Sequence, residues 1–387
     1  MKVISKAASL LRSRSGFLSA RGFVDRRDLA STLERGNNNF DLIRLAAALA
    51  VMVGHSFGVT GSHEMETMLR LTHKESFGSL AVYGFFLISG MLVTASYVKQ
   101  GSPGRYAALR FLRIYPGALV CAAFIGLVVA PIFTSMPLVD YFSSDETRRW
   151  LVRNLTLIGG VGGRLPEVFS KNPAPGFVNP TAWTLPIELE CYAIVLMVGL
   201  SGLIRTRLGM SFAMTVVGTV FVYFALHPPK HITLGGFFAI PLAYSFYPVP
   251  FFLLGMLLYV FRSQVKLHWL PALTMLIAYI LFRENRWGYL LLYPAFVYGL
   301  LWLASVPLLR CLKPRHDYSY GIYLYGFVVQ QAVTDLCPGL DHGASLVVAI
   351  PLAVVLAALS WHMVEQPCLL AVRSRSSVRQ AAAVPAA

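Results

Sequence analysis

Apolar residues along this chain gather into runs of about twenty separated by charged or turn-rich segments, and a helix of that length spans roughly 30 Å of hydrocarbon. The runs fall near 40–60, 79–97, 110–132, 183–204, 210–226, 237–261, 267–282, 287–306, 318–336 and 344–363. One such run is compatible with a buried core helix, but a succession of ten is not. The pattern predicts an all-α fold, a polytopic integral membrane helical bundle of about ten transmembrane helices over residues 39–368. The run 237–261 is too long for a plain crossing and holds Pro241, Pro248 and Pro250. Its outer part is therefore expected to be broken or re-entrant, which is tolerated only where protein or a water-filled cavity shelters the backbone.

Composition agrees with a lipid solvent. Apolar residues make up 56% of the 387 positions and charged residues 13%, against roughly a quarter charged in soluble domains. The net charge of +15 lies in short clusters between apolar runs rather than along one soluble face, so it reads as a topology signal and predicts no nucleic-acid partner. An even number of crossings puts both termini on one side. With the amino terminus in the cytoplasm, every inner connection is basic: Lys99, Arg105, Arg110 and Arg113, then Arg205 and Arg207, Arg262 and Lys266, and Arg310, Lys313 and Arg315. Residues 1–38 and 369–387 are expected to be basic cytoplasmic tails, the first mobile and lacking an apolar stretch suited to a signal peptide. Five cysteines, odd in number and without a C-x-x-C pair, indicate neither a disulfide framework nor a metal site.

Ionisable groups within such spans are costly, which makes them functional candidates. In the first span Arg44 lies about one turn from the inner edge and His55 roughly 16 Å farther along the axis, toward the outer edge. Arg110 and Arg113 open the third span, three apart and so on one helix face. Depth gives these arginines one layer with Arg44, although basic residues at an inner edge also satisfy topology alone. Glu188 follows Trp183 at the outer start of the fourth span. Its depth below the edge is similar to that of His55, so it is expected to orient the histidine and stabilise its imidazolium form. Helix capping is the competing reading for this acid. An inner layer of arginines under an outer layer of histidine and carboxylate suits a polyanionic donor with a long thin arm, and coenzyme A thioesters have that shape.

Taken together, these residues resemble the acyltransferase-3 family, membrane enzymes that O-acylate bacterial surface glycans. Arg44, ten residues and His55 match the family's arginine–histidine signature, with Asp41 in its usual place. Phe85-Phe86-Leu87-Ile88-Ser89-Gly90 looks like the F-F-x-I-S-G motif, Arg110, Arg113 and Pro116 match the paired-arginine motif, and Trp183, Leu185, Glu188 and Tyr192 match W-S-L-x-x-E-x-x-x-Y. Ser319 to Leu324 and Glu365-Gln366-Pro367 also resemble family signatures. Thr184 and Pro186 depart from the pattern, and Tyr325-Gly326 stands where many members carry a histidine.

The resemblance implies transfer of an acetyl or similar short acyl group from acetyl-CoA (acyl-CoA), a co-substrate rather than a bound cofactor, to a saccharide hydroxyl. The acceptor implied is an exopolysaccharide, O-antigen or lipid-linked glycan, and the location a bacterial inner membrane among membrane lipid. It implies His55 as catalytic base with Glu188 as partner, and Arg44, Arg110 and Arg113 as the groups that bind the donor phosphates. Trp183, Tyr192 and Ser89 are the motif residues expected to contact substrate. Asn179 belongs to the turn-rich segment 172–180, expected either to lie over the outer mouth and touch the acceptor or to serve as a plain connector. A transporter or flippase of a glycan or small molecule is the rival, since intramembrane charges and broken helices also mark transport pathways. It would predict paired halves, and the sequence has no internal symmetry.

Overall fold

The computed structural model describes residues 27–34, 36–100, 102–158, 161–226, 233–234, 240–241, 247–285 and 288–371. The tail residues 1–26 and 372–387, and most of the segment expected to be broken between 237 and 248, lie outside the described residues.

A helix stands at each predicted run, and shorter helices lie outside the runs, the longest of them, Asp145–Thr156, in the loop after the third. In chain order the helices of the runs, together with that one, are α1 (Phe40–Val59), α2 (Phe77–Gln100), α3 (Pro103–Phe124), α4 (Asp145–Thr156), α5 (Thr184–Leu200), α6 (Arg207–Leu226), α7 (Val249–Val260), α8 (Trp269–Phe282), α9 (Gly288–Ser305), α10 (Ser319–Leu336) and α11 (His342–Ser360). The chain is thus mostly helical, with two pairs of two-residue strands among the described residues. Among the described residues five helical stretches are long and apolar enough to cross a membrane: α1, α2, α3 continued to Phe133, Pro180–Leu200 and α11 continued to Ala371.

Helix α10 carries Ser319, Gln330 and Gln331 yet is buried continuously from Ser319 to Gln331. It needs no lipid-facing apolar stripe because α1 and α11 flank it and the loop before α5 runs along it. Its contact with α11 relies on small residues: a Cβ on Gly321 would come within 2.7 Å of the Ala357 Cα, and Ala349, Ala353 and Ala357 are fully buried. Helices α2 and α7 approach still more closely. A Cβ on Gly90 would lie 2.1 Å from the Phe252 carbonyl oxygen, and one on Gly255 would lie 2.3 Å from that of Leu87. Between apolar helices in lipid, such backbone contact supplies van der Waals attraction that lipid tails do not outcompete.

Residues 27–34, which the sequence reading assigns to a mobile tail, are packed instead. Arg27–Asp28 pairs antiparallel with Lys266–Leu267, and Leu29 is fully buried against Leu267, Leu300, Leu301 and Ala304. Asn39, also fully buried, gives its side-chain amide to the carbonyls of Leu303 and Val306 at 2.8 and 2.7 Å, which serves the orphan acceptors at the end of α9. A single apolar residue inside a basic stretch carries little sequence signal, yet its burial decides whether the stretch is held.

The loop between α4 and α5 determines the depth of the site. It descends along α10: Asn172 and the carbonyls of Ala174 and Phe177 bond to Gln331, Asn179 bonds to the Leu324 carbonyl, and Thr181 bonds to Tyr323. Tyr323 lies two turns below Gln331, roughly 12 Å at the helical rise. Helix α5 therefore starts inside the bundle, and Thr181, Ala182, Thr184 and Leu185 are all buried.

Candidate active site

Two cavities meet in this bundle. An inner cavity of about 110 Å³ is walled by α2, α3, α5 and the start of α10, and Arg44, Arg110, Arg113, Ser89, Glu188 and Tyr192 all line it. An outer basin of about 560 Å³ is lined by His55, Trp183, Thr181, Glu75 and Tyr83 among others. Val82 and Tyr323 belong to both walls. The Tyr323 hydroxyl donates to the Thr181 carbonyl at 2.7 Å and pairs with the Thr184 hydroxyl at 2.7 Å. A thin layer of Tyr323, Val82 and the start of α5 is all that divides the cavities.

In the inner cavity, charge is arranged around Asp317. Its carboxylate accepts from Arg44 at 2.8 Å and from Arg113, while its other oxygen accepts from the Ser319 hydroxyl. Burial alone would push this carboxyl up, but the guanidinium groups of Arg44 and Arg113 outweigh it and hold Asp317 well below the usual carboxylate range. Arg113 also faces Glu365 at 3.8 Å and the rings of Tyr320 and Trp361, each 5.9 Å away. A π-helical turn over Trp361–Glu365 at the end of α11 carries Glu365 inward, and the Ser360 hydroxyl donates to it at 3.0 Å.

Arg110 is placed differently. It has no carboxylate partner among the described residues, its Nε is buried without a hydrogen bond, and its guanidinium lies 5.8 Å over the Tyr192 ring. The Tyr192 hydroxyl in turn donates to Glu188, which the Ser89 hydroxyl approaches at 3.5 Å. Of the three predicted donor-binding arginines, two are therefore held in ion pairs and one lines the cavity with no carboxylate partner among the described residues.

His55 faces the outer basin, its ring edge-on to Phe327 with centroids 5.3 Å apart. Among the described residues no side chain hydrogen-bonds to that ring, which leaves a nitrogen available to a substrate. The expected pairing of His55 with Glu188 does not occur. Gln330 bonds to the Met52 carbonyl at 2.7 Å, so His55 sits near or above the Gln330 level, whereas Glu188 lies a turn below the Thr184–Tyr323 contact. The helical rise puts the two on the order of 15 Å apart along the bundle axis. Counting from the start of α5 misjudged the depth because that start lies inside the bundle.

Trp183 lines the outer basin, and Ser89 and Tyr192 line the inner cavity. Asn179 lines neither. Its amide donates to the Leu324 carbonyl at 3.1 Å and its side-chain carbonyl accepts from Thr181 at 2.6 Å, so this buried side chain ties the loop to α10 and faces neither cavity. Asp317 matches no motif in the sequence, and Tyr323 stands there as part of the Ser319–Leu324 signature with no role assigned. Asp317 is a lone acid in the basic connection before α10, and its position beside the Ser319-Tyr320 signature was the available signal.

A protein-family model described as an acyltransferase domain matches residues 37–363. The chain is similar to an O-acetyl transferase of Shigella phage Sf6, 28% identical over 342 residues that cover 85% of this chain and 95% of the relative. It is also similar to nodulation protein 10 of Rhizobium leguminosarum bv. viciae, 27% identical over 367 residues that cover 86% and 93%. No solved structure matches.

Proposed function

Because the chain belongs to the acyltransferase domain family, whose members transfer acyl groups, we propose that it moves an acetyl or similar short acyl group from acyl-CoA to a saccharide hydroxyl, across a bacterial inner membrane. Ten crossings with both termini in the cytoplasm complete this reading. The five long apolar helices and the basic connections on one side support it. The acceptor class is taken from the family resemblance; the O-acetyl transferase among the relatives supports transfer to oxygen.

The observation that carries the proposal is the pair of cavities sharing Val82 and Tyr323, with arginines on one and a free imidazole on the other. The donor's phosphates sit at the arginine end, with Arg110 as the first contact because its charge has no carboxylate partner among the described residues. The narrow inner cavity takes the thioester arm rather than the nucleotide, and the acyl end passes between Tyr323 and Val82. In the outer basin the acceptor rests against Trp183, whose aromatic ring suits a sugar's apolar face, while Glu75 is held by the hydroxyls of Tyr83 and Tyr293.

His55 takes the proton of the acceptor hydroxyl, whose oxygen forms a bond to the thioester carbonyl carbon. The C–S bond then breaks, and the departing thiolate recovers the proton from the imidazolium. Glu188 takes no part in that transfer and instead fixes Tyr192 and Ser89 in the donor cavity.

The test is transfer of label from radioactive acetyl-CoA to glycan in membranes carrying His55→Ala or Arg110→Ala. Loss of transfer with retained donor binding is expected for the first, and weakened donor binding for the second. Full activity in His55→Ala would remove the proposed base.

A further inference from the structure

A second basic site lies apart from both cavities, between the segment that precedes α1 and the turn that follows α9. Arg27, Ser31, Thr32, Asn37 and Arg310 line a pocket of about 270 Å³ there. Each arginine makes one backbone contact: Arg27 Nη1 donates to the Ser305 carbonyl at 2.9 Å and Arg310 Nη2 to the Asn37 carbonyl at 2.9 Å. Those bonds use one of the five donors that each guanidinium carries. Arg310 Nε is buried and bonds to nothing among the described residues.

Among the described residues no carboxylate lines the pocket. Asp28 and Glu34 are each bonded to a lining residue, Asp28 to the Ser31 amide and to Lys266 and Glu34 to the Asn37 side-chain amide, and neither pairs with Arg27 or Arg310 among the described residues. Two like charges are thus held close together, and burial together with Arg27 lowers the pKa of Arg310. This contrasts with Arg44 and Arg113, whose charges are met by Asp317 and Glu365. A chain that needed only the backbone clamp could have used a neutral donor at either position.

We propose that the pocket between Arg27 and Arg310 binds a phosphate group. Planar guanidinium forks match phosphate oxygens in geometry as well as charge, and a tetrahedral anion fits the volume and supplies the missing acceptor for Arg310 Nε. Two sources share that chemistry, a phospholipid headgroup and a soluble phosphate. The first is suggested by Leu308 and Leu312, which stand 48% and 62% exposed on the same turn as Arg310 and present an apolar surface beside the pocket.

The experiment measures binding, so its result does not depend on whether the chain transfers acyl groups. The purified full chain is delipidated and probed in two arms: native mass spectrometry after exposure to phosphatidylcholine vesicles with or without phosphatidylglycerol, and thermal stabilisation by inorganic phosphate. Arg27→Gln with Arg310→Gln is expected to lower affinity in the responding arm by roughly tenfold or more, the loss that charge-assisted hydrogen bonds predict. Ser31→Asp guards against misfolding as a cause, because it places a carboxylate beside the two arginines. It should leave the thermal midpoint unchanged or raised while abolishing binding. A response confined to phosphatidylglycerol identifies the headgroup, and one confined to phosphate identifies a soluble ligand. Equal binding by wild type, the double variant and Ser31→Asp in both arms overturns the proposal.

Discussion

Arg44, one turn into α1, donates a 2.8 Å hydrogen bond to Asp317, two residues ahead of α10. Asp317 also accepts from Arg113 of α3, so one carboxylate joins three elements at the arginine end of the bundle. Asp317→Ala leaves two partly buried guanidinium groups facing each other, and removal of one partner from such a pair costs about 3 kcal/mol. A lowered thermal midpoint in detergent, with partial recovery in Asp317→Glu, is the expected result.

The same carboxylate sets a pH dependence. Its pKa is held below the ordinary value in the folded chain, so its contribution to stability is fully present above the unfolded pKa and is lost as pH falls through the folded one. The difference in melting temperature between wild type and Asp317→Asn should therefore stay constant from neutral pH down to about pH 4, near the ordinary aspartate pKa. Below that it should shrink. A difference that already vanishes near pH 6 would contradict the ion-pair assignment.

Glu188 bonds to Tyr192 and Ser89 rather than to His55. Glu188→Gln should leave the acidic limb of the pH–rate profile where it is in wild type, because the proposed base is His55 and no bond joins Glu188 to it among the described residues. His55→Ala should lower the rate by about 10²-fold or more, the usual share of general base catalysis. A displaced acidic limb in Glu188→Gln would restore the pairing that the geometry denies.

Arg110 has an unsatisfied Nε in the inner cavity, and its substitution by alanine removes a free cation rather than half of an ion pair. The expected signature is a donor KM raised about tenfold, the size of one charge-assisted hydrogen bond, with a thermal midpoint close to wild type. Arg113→Ala should lose stability as well as affinity, since it leaves Asp317 and Glu365 short of a partner.

Gly90 has no room for a side chain, since its Cβ would meet the Phe252 carbonyl oxygen at 2.1 Å. Gly90→Ala must push α2 from α7, and overpacking of that kind costs about 1–3 kcal/mol. Reduced yield of folded protein is expected, with a further loss in Gly90→Val, measured by size-exclusion profile and melting temperature. A wild-type melting temperature for Gly90→Val would show that the two helices are not held in contact.

Tyr323 closes the layer between the cavities through bonds to Thr181 and Thr184. Tyr323→Phe keeps the ring and removes the latch, a loss of about 1 kcal/mol. Acyl-CoA hydrolysis in the absence of acceptor should rise, because water reaches the thioester through the loosened layer. Unchanged background hydrolysis would mean that the latch does not control the passage.

Much of this protein follows from its sequence. The length and spacing of the apolar runs determine where helices form, because an uninterrupted apolar stretch in lipid must satisfy its own backbone. The motifs single out Arg44, Arg110, Arg113, Ser89, Glu188 and Tyr192, and all six line the inner cavity, although the sequence places Glu188 in an outer layer with His55. What the sequence could not determine is depth. The apolar run places Glu188 near its outer edge, but the loop before α5 follows α10 downward through Gln331 and Tyr323, and only long-range hydrogen bonds set how far. That descent separates Glu188 from His55 and spends Asn179 on docking. The tertiary structure likewise decided which arginines are free, because the carboxylates that neutralise Arg44 and Arg113 come from Asp317 and Glu365 at the far end of the chain. Charge pairing depends on distance in space, and neither separation along the chain nor local pattern reports it.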